Sequence, residues 1–82
     1  MLARLKLFGP MRVAVGEGEL SLSLRGDAAT CASLRAEIRA REPRLAGLID
    51  GCRFAVNGRF ADEEQVLAEG DEIALIGFVS GG

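Results

Sequence analysis

The sequence predicts an α+β layer: one mixed sheet of about five strands packed on one main helix. Three observations predict it. Residues 3–8, 19–24, 52–56 and 72–76 carry the alternation or the short apolar runs of strands. One stretch, following Thr30, has helical spacing. Asn57-Gly58 is a two-residue hairpin signal, since both residues tolerate positive φ.

Each element follows in order. Residues 3–8 set Ala3, Leu5 and Leu7 on one face and Arg4 and Lys6 on the other. Gly9-Pro10 ends this strand, and residues 11–15 are expected as a short helical turn. Gly16 and Gly18 mark a turn. Leu20, Leu22 and Leu24 then share one face of a second strand, so the two strands predict an N-terminal hairpin with a long connection. Gly26-Asp27 is expected as a loop, and Thr30 as a helix N-cap. Cys31, Leu34 and Ile38 recur at helical spacing, with Glu37 and Arg41 paired at i and i+4. Pro43 ends the helix near Glu42. Leu45, Leu48 and Ile49 are expected to plug the core. Residues 52–56 form a third strand, and Arg59-Phe60 begins a short return strand. An acidic connection over 62–70 is anchored by Val66 and Leu67, and 72–76 is the last strand. First and last strands are expected parallel at the sheet centre. The expected organisation is one domain over 1–76 and a tail over 77–82.

Composition narrows the function. With 82 residues, 49% of them apolar, the chain can build one core and has little room for a deep enclosed site. There is no histidine, hence no imidazole base and no histidine-based triad. No glycine-rich phosphate loop with its lysine is present, and the scattered acids have no metal-ligand spacing. Asp62-Glu63-Glu64 reads as a capping or solvated loop start. Cys31 and Cys52 form no Cys-x-x-Cys pair and read as small core residues. All ten basic residues lie in positions 1–59, whereas 60–82 hold six acids and no base. That field does not suit a nucleic-acid backbone; it fits a solvated acidic turn or steering towards a basic protein surface. No apolar run reaches membrane-span length and the N-terminus lacks a continuous apolar signal core, so a cytoplasmic protein without membrane contact is expected.

The chemistry is then sought at the end of the chain. Gly77 to Gly82 carry no charged side chain and span roughly 20 Å when extended. Gly81 and Gly82 lack Cβ atoms, so the segment is thin enough to enter a narrow channel in another protein. The reagent is the α-carboxylate of Gly82, with an ordinary pKa of about 3.5. Attack of that carboxylate on the α-phosphorus of ATP makes a mixed anhydride. A sulfur nucleophile then displaces AMP and leaves a thiocarboxylate. The dipeptide alone also fits an inert end; the apolar Phe78-Val79 before it does not, because flexible ends are more often polar.

Val56-Asn57-Gly58, the run Leu67-Ala68-Glu69-Gly70-Asp71-Glu72-Ile73-Ala74-Leu75, and the ending Val79-Ser80-Gly81-Gly82 resemble the MoaD family, the small subunits of molybdopterin synthase. The resemblance runs from Leu5-Lys6-Leu7-Phe8 to the end. It implies a ubiquitin-like β-grasp fold. It implies that a MoeB-like, E1-like enzyme uses ATP to adenylate Gly82, which is then thiocarboxylated. It implies a MoaE-like large subunit, in a heterotetramer, where sulfur passes to cyclic pyranopterin monophosphate. Catalytic residues other than Gly82 would then lie in that subunit, and the small subunit would bind no cofactor or metal itself. Val79, Ser80 and Gly81 match the family's channel-lining tail. Phe8, Phe60 and Ile76 match the apolar interface and, with Phe78, would form an exposed patch, although each alone also fits a core position. One departure is Gly77-Phe78, where the family commonly has Pro-Pro. Sulfur delivery to thiamin thiazole or tRNA thiolation, and a ubiquitin-like modifier joined to lysines through Gly82, are the alternatives.

Overall fold

The structure, a computed structural model, describes residues 1–25 and 29–77. Strand β1, Leu2–Leu7, buries Ala3, Leu5 and Leu7 and exposes Leu2, Arg4 and Lys6. Strand β2, Glu19–Ser23, runs antiparallel to it, with Leu2 opposite Ser23 and Lys6 opposite Glu19. Their connection holds helix α1, Gly9–Val15. It begins two residues before the expected turn, because Pro10 in a first helical turn has no amide to leave unsatisfied. It ends at Gly16 in the left-handed conformation, whose N–H donates to the Arg12 carbonyl at 2.8 Å.

Helix α2, Cys31–Arg41, lies across the sheet with Cys31, Leu34 and Ile38 buried. Thr30 caps it as the sequence predicts. The Ser33 N–H donates to Thr30 Oγ1 at 3.2 Å and the Thr30 N–H donates to Ser33 Oγ at 2.8 Å. Glu37 and Arg41 pair at 2.7 Å, and Pro43 opens a 3-10 turn, Pro43–Leu45, directly after the helix. A second 3-10 turn spans Ile49–Gly51. Leu45 and Ile49 plug the core, but Leu48 does not: it is 37% exposed. It sits between the two turns and lines a surface cleft with Pro10, Met11 and Gly77.

Strand β3, Cys52–Val56, turns through Asn57 (φ 52°) and Gly58 (φ 83°) into β4, Arg59–Ala61. Two successive positive φ values match the right-handed twist of a hairpin. Strand β5, Ile73–Gly77, pairs antiparallel with β3, Val56 opposite Ile73 and Cys52 opposite Gly77. It pairs parallel with β1, Leu5 opposite Ile73 and Leu7 opposite Leu75. The sheet order is β2-β1-β5-β3-β4, so first and last strands do lie parallel at its centre.

Leu67 anchors the acidic connection, whereas Val66 points outward at 57% exposure. The backbone there is extended and bridges to Thr30, so neighbouring side chains alternate and only one of the pair can face the core. This connection also closes the start of α2. The N–H groups of Cys31 and Ala32 donate to the carbonyls of Gln65 and Glu63 at 3.0 and 2.9 Å, filling amides that no helical partner can reach. Cys31 and Cys52 are buried free thiols, as expected of core residues. Burial pushes both thiols above their ordinary value, with Glu63 adding to the effect at Cys31. No helix among the described residues is long and apolar enough to cross a membrane. The expected loop at Gly26-Asp27 lies outside the described residues.

Candidate functional site on the open face of the sheet

Among the described residues, helices and turns cover one face of the sheet. Alternation along each strand decides which side chains the other face carries. On β1 these are Leu2, Arg4 and Lys6; on β5, Ala74 and Ile76; on β3, Arg53 and Ala55. Phe8 continues the extended backbone of β1 one residue beyond the Leu7–Leu75 pair, which brings it beside Ile76. Ile76 pairs across β5 and β3 with Arg53. Ala55 pairs with Phe60 on the edge strand.

The three residues expected at an apolar interface therefore share one side of the molecule. Phe8 is 50% exposed and Phe60 59%, with Ile76 half-buried between them. None belongs to the core, which rejects the alternative assignment of each. Single exposed apolar residues need no explanation; two phenylalanines and an isoleucine on one face, with Ala55 and Ala74 between, make a candidate interaction surface. Phe78, Val79, Ser80, Gly81 and Gly82 lie outside the described residues, which end at Gly77 in the central strand.

Sequence reasoning missed Arg53. Its guanidinium lies over the Phe60 ring, 4.5 Å from the centroid, in the middle of the patch. Alternation within 52–56 sets Arg53 opposite in facing to Phe54, but only the β3–β4 pairing brings it onto Phe60. Towards β2 the same face becomes polar. A groove of about 420 Å³ there is lined by Arg4, Lys6, Glu19, Glu69, Asp71 and Glu72, together with Leu2 and Ile73.

The hairpin that carries Phe60 is held from below. The Glu72 N–H donates to Asn57 Oδ1 at 2.9 Å, and Asn57 Nδ2 donates to Asp71 Oδ1 at 3.0 Å. The Ala68 N–H donates to Asp71 Oδ2 at 2.7 Å. That backbone bond, then the Asn57 amide, holds the Asp71 carboxyl below its ordinary value. Among the described residues no three His, Cys, Asp or Glu side chains are grouped to hold a metal ion. Among the described residues the arrangement is an exposed, partly apolar face beside a polar groove.

Known proteins share this design. The sequence model of the ThiS family matches residues 5–82. The chain is 35% identical over 77 residues to the molybdopterin synthase sulfur carrier subunit of Chlamydomonas reinhardtii, covering 92% of each chain. Among solved structures, SAMP1 from Haloferax volcanii superposes with a TM-score of 0.82 at 27% identity over the full length of both chains. Subunits 1 and 2 of the molybdopterin-converting factor of Helicobacter pylori have been solved as a complex; one chain of it matches with a TM-score of 0.70 at 26% identity, again over both full lengths. The fold is therefore the ubiquitin-like β-grasp, and the chain belongs to the ThiS family as a sulfur carrier of the MoaD/ThiS type.

Proposed function

We propose that this protein is the sulfur carrier subunit of a molybdopterin synthase. The observation that carries the reading is the relative of that name, matched over 92% of both chains. The open sheet face supports it, because a carrier without a reacting constellation must dock on the proteins that load and unload it. The carboxylate oxygen of Gly82 attacks the α-phosphorus of ATP on a MoeB-like enzyme and pyrophosphate leaves. A hydrosulfide-level nucleophile then attacks the acyl carbon and AMP leaves. The thiocarboxylate, with Gly81, Ser80 and Val79 behind it, enters a MoaE-like large subunit and gives sulfur to cyclic pyranopterin monophosphate. Phe8, Phe60, Ile76 and Phe78 hold the two subunits together, in an assembly of two small and two large chains. The ATP belongs to the activating enzyme, and the whole sequence takes place in the cytoplasm.

Intact mass spectrometry after incubation with ATP, the activating enzyme and a sulfur donor tests the mechanism. The expected result is a mass gain of one oxygen-to-sulfur exchange, absent when Gly81-Gly82 is deleted. No gain with several competent activating enzymes overturns it. A modifier role is the second reading, favoured by the full-length likeness to SAMP1. It would appear in the same sample as isopeptide-linked adducts on lysines of other proteins.

A further inference from the structure

The described ion pairs all lie away from the open face. Arg35 pairs with Glu63, Arg39 with Asp50, Arg41 with Glu37 and Arg44 with Glu42. The Arg53 side chain makes no ion pair or hydrogen bond among the described residues. Its neighbours on the face are Ile76, to which it pairs directly, Ala55 and the Phe60 ring. Stacking on an aromatic ring orients a guanidinium but occupies none of its five N–H donors.

The position of Arg53 has a consequence for any partner. A protein that covers Phe8 and Ile76 at one end of the patch and Phe60 at the other must also cover Arg53, which lies between them. Taking a guanidinium out of water without an acceptor costs far more than the apolar contacts around it return. A water-filled gap would separate the partner from the two aromatic rings. The remaining solution is an anion on the partner that meets the donors. A carboxylate suits best, because a planar fork and a carboxylate form two parallel hydrogen bonds.

We infer that Arg53 is a specificity-determining residue of the docking face, and that the large subunit carries an Asp or Glu carboxylate that meets its guanidinium when Phe8, Ile76 and Phe60 are covered. The inference rests on the large-subunit partner proposed above. It separates true partners from other proteins with an apolar groove, which would bury Arg53 unpaired.

The test is titration calorimetry of the full chain with the MoaE-like subunit of the same organism, at low and high salt. Arg53→Met keeps a flexible side chain on Phe60 and removes the charge; it is expected to weaken binding about tenfold and to flatten the salt dependence. Arg53→Glu is expected to weaken it by about a hundredfold or more. Both variants should keep the melting temperature of the parent, since Arg53 is exposed. Changing the surface Asp and Glu residues of the large subunit to Lys, one at a time, should yield one variant that restores binding to Arg53→Glu. Parent-like binding and salt dependence by Arg53→Met overturn the inference and leave the proposed function standing. Failure of every lysine variant to rescue Arg53→Glu overturns it as well. Failure of the parent chain to bind the large subunit overturns both.

Discussion

Gly77 shows how a single residue joins local chemistry to function. A Cβ at this position would stand 3.0 Å from Cε and 3.1 Å from Sδ of the buried Met11. A proline ring would put its own Cβ in the same place, so α1 and a proline at 77 compete for one volume. The Met11 thioether has some room to give, because both residues border a cleft of about 210 Å³. Gly77→Ala is therefore expected to cost about 1 kcal/mol, and Gly77→Pro about 2 kcal/mol or more. Met11→Ala alone opens a cavity and costs roughly 2–5 kcal/mol. In the double variant Met11→Ala/Gly77→Pro the two losses should fall short of their sum by about 1 kcal/mol, measured by urea denaturation. Strict additivity would show that Met11 is not what excludes proline. The alternation of 72–76 made the strand legible, but nothing in the sequence ties position 77 to position 11.

Helix α2 is the element on which the rest is stacked, and its N-terminus is fastened by two kinds of contact. The capping box of Thr30 and Ser33 is local. The other is long-range: Arg35 Nε and Nη2 donate to both Glu63 oxygens at 2.8 and 2.9 Å. The same guanidinium donates to the Ile49 carbonyl and lies 5.1 Å from the centroid of the Phe54 ring. One side chain thus ties the helix to the acidic connection, to the second 3-10 turn and to β3. Thr30→Ala removes one of the two side-chain caps and is expected to cost about 1 kcal/mol. In a domain of this size that lowers the melting temperature by roughly 4–8 °C. Circular dichroism melts check it, and an unchanged midpoint would mean that the carbonyls of Glu63 and Gln65 hold the helix start by themselves. The hydroxyl cap could be read from spacing. Glu63 could not: it looked like one of three solvated acids, and its partner is 28 residues away.

Charge organises the whole molecule. Three carboxylates are held below their ordinary values by defined partners: Glu63 by hydrogen bonds from Arg35, Glu42 by hydrogen bonds from Arg44, and Asp71 by the Ala68 N–H and then the Asn57 amide. Arg44 also donates from Nη1 to the Val15 carbonyl at 2.9 Å, so its pairing with Glu42 connects the end of α1 to the end of α2. A carboxylate whose folded pKa is depressed adds stability that is present above its unfolded value and is lost as pH falls through the folded one. The ordinary values here are 4.5 for Glu42 and Glu63 and 3.8 for Asp71. Stability from these groups should therefore be constant from neutrality down to pH about 5 and decline below it. Urea denaturation across that range checks this, with Arg35→Met as the comparison. The variant should be less stable at neutral pH and lose less on acidification. Parallel losses in both proteins would remove Arg35–Glu63 from the account.

By itself the sequence determined the strand and helix periods, the Asn57-Gly58 turn, the Thr30 cap, and a chain without histidine or a glycine-rich phosphate loop. These are local properties, set by side-chain spacing and by backbone preferences a few residues long. It also placed Phe8, Phe60 and Ile76 on an interface through a resemblance, while leaving each open to a core role. Tertiary structure put all three outside the buried core, because exposure depends on which sheet face the helices cover. It likewise turned Leu48 and Val66 outward, set Gly77 against Met11, and laid Arg53 on Phe60. The last two are contacts between segments that the sheet brings together, and the pairing of β3 with β4 is what sets Arg53 beside Phe60.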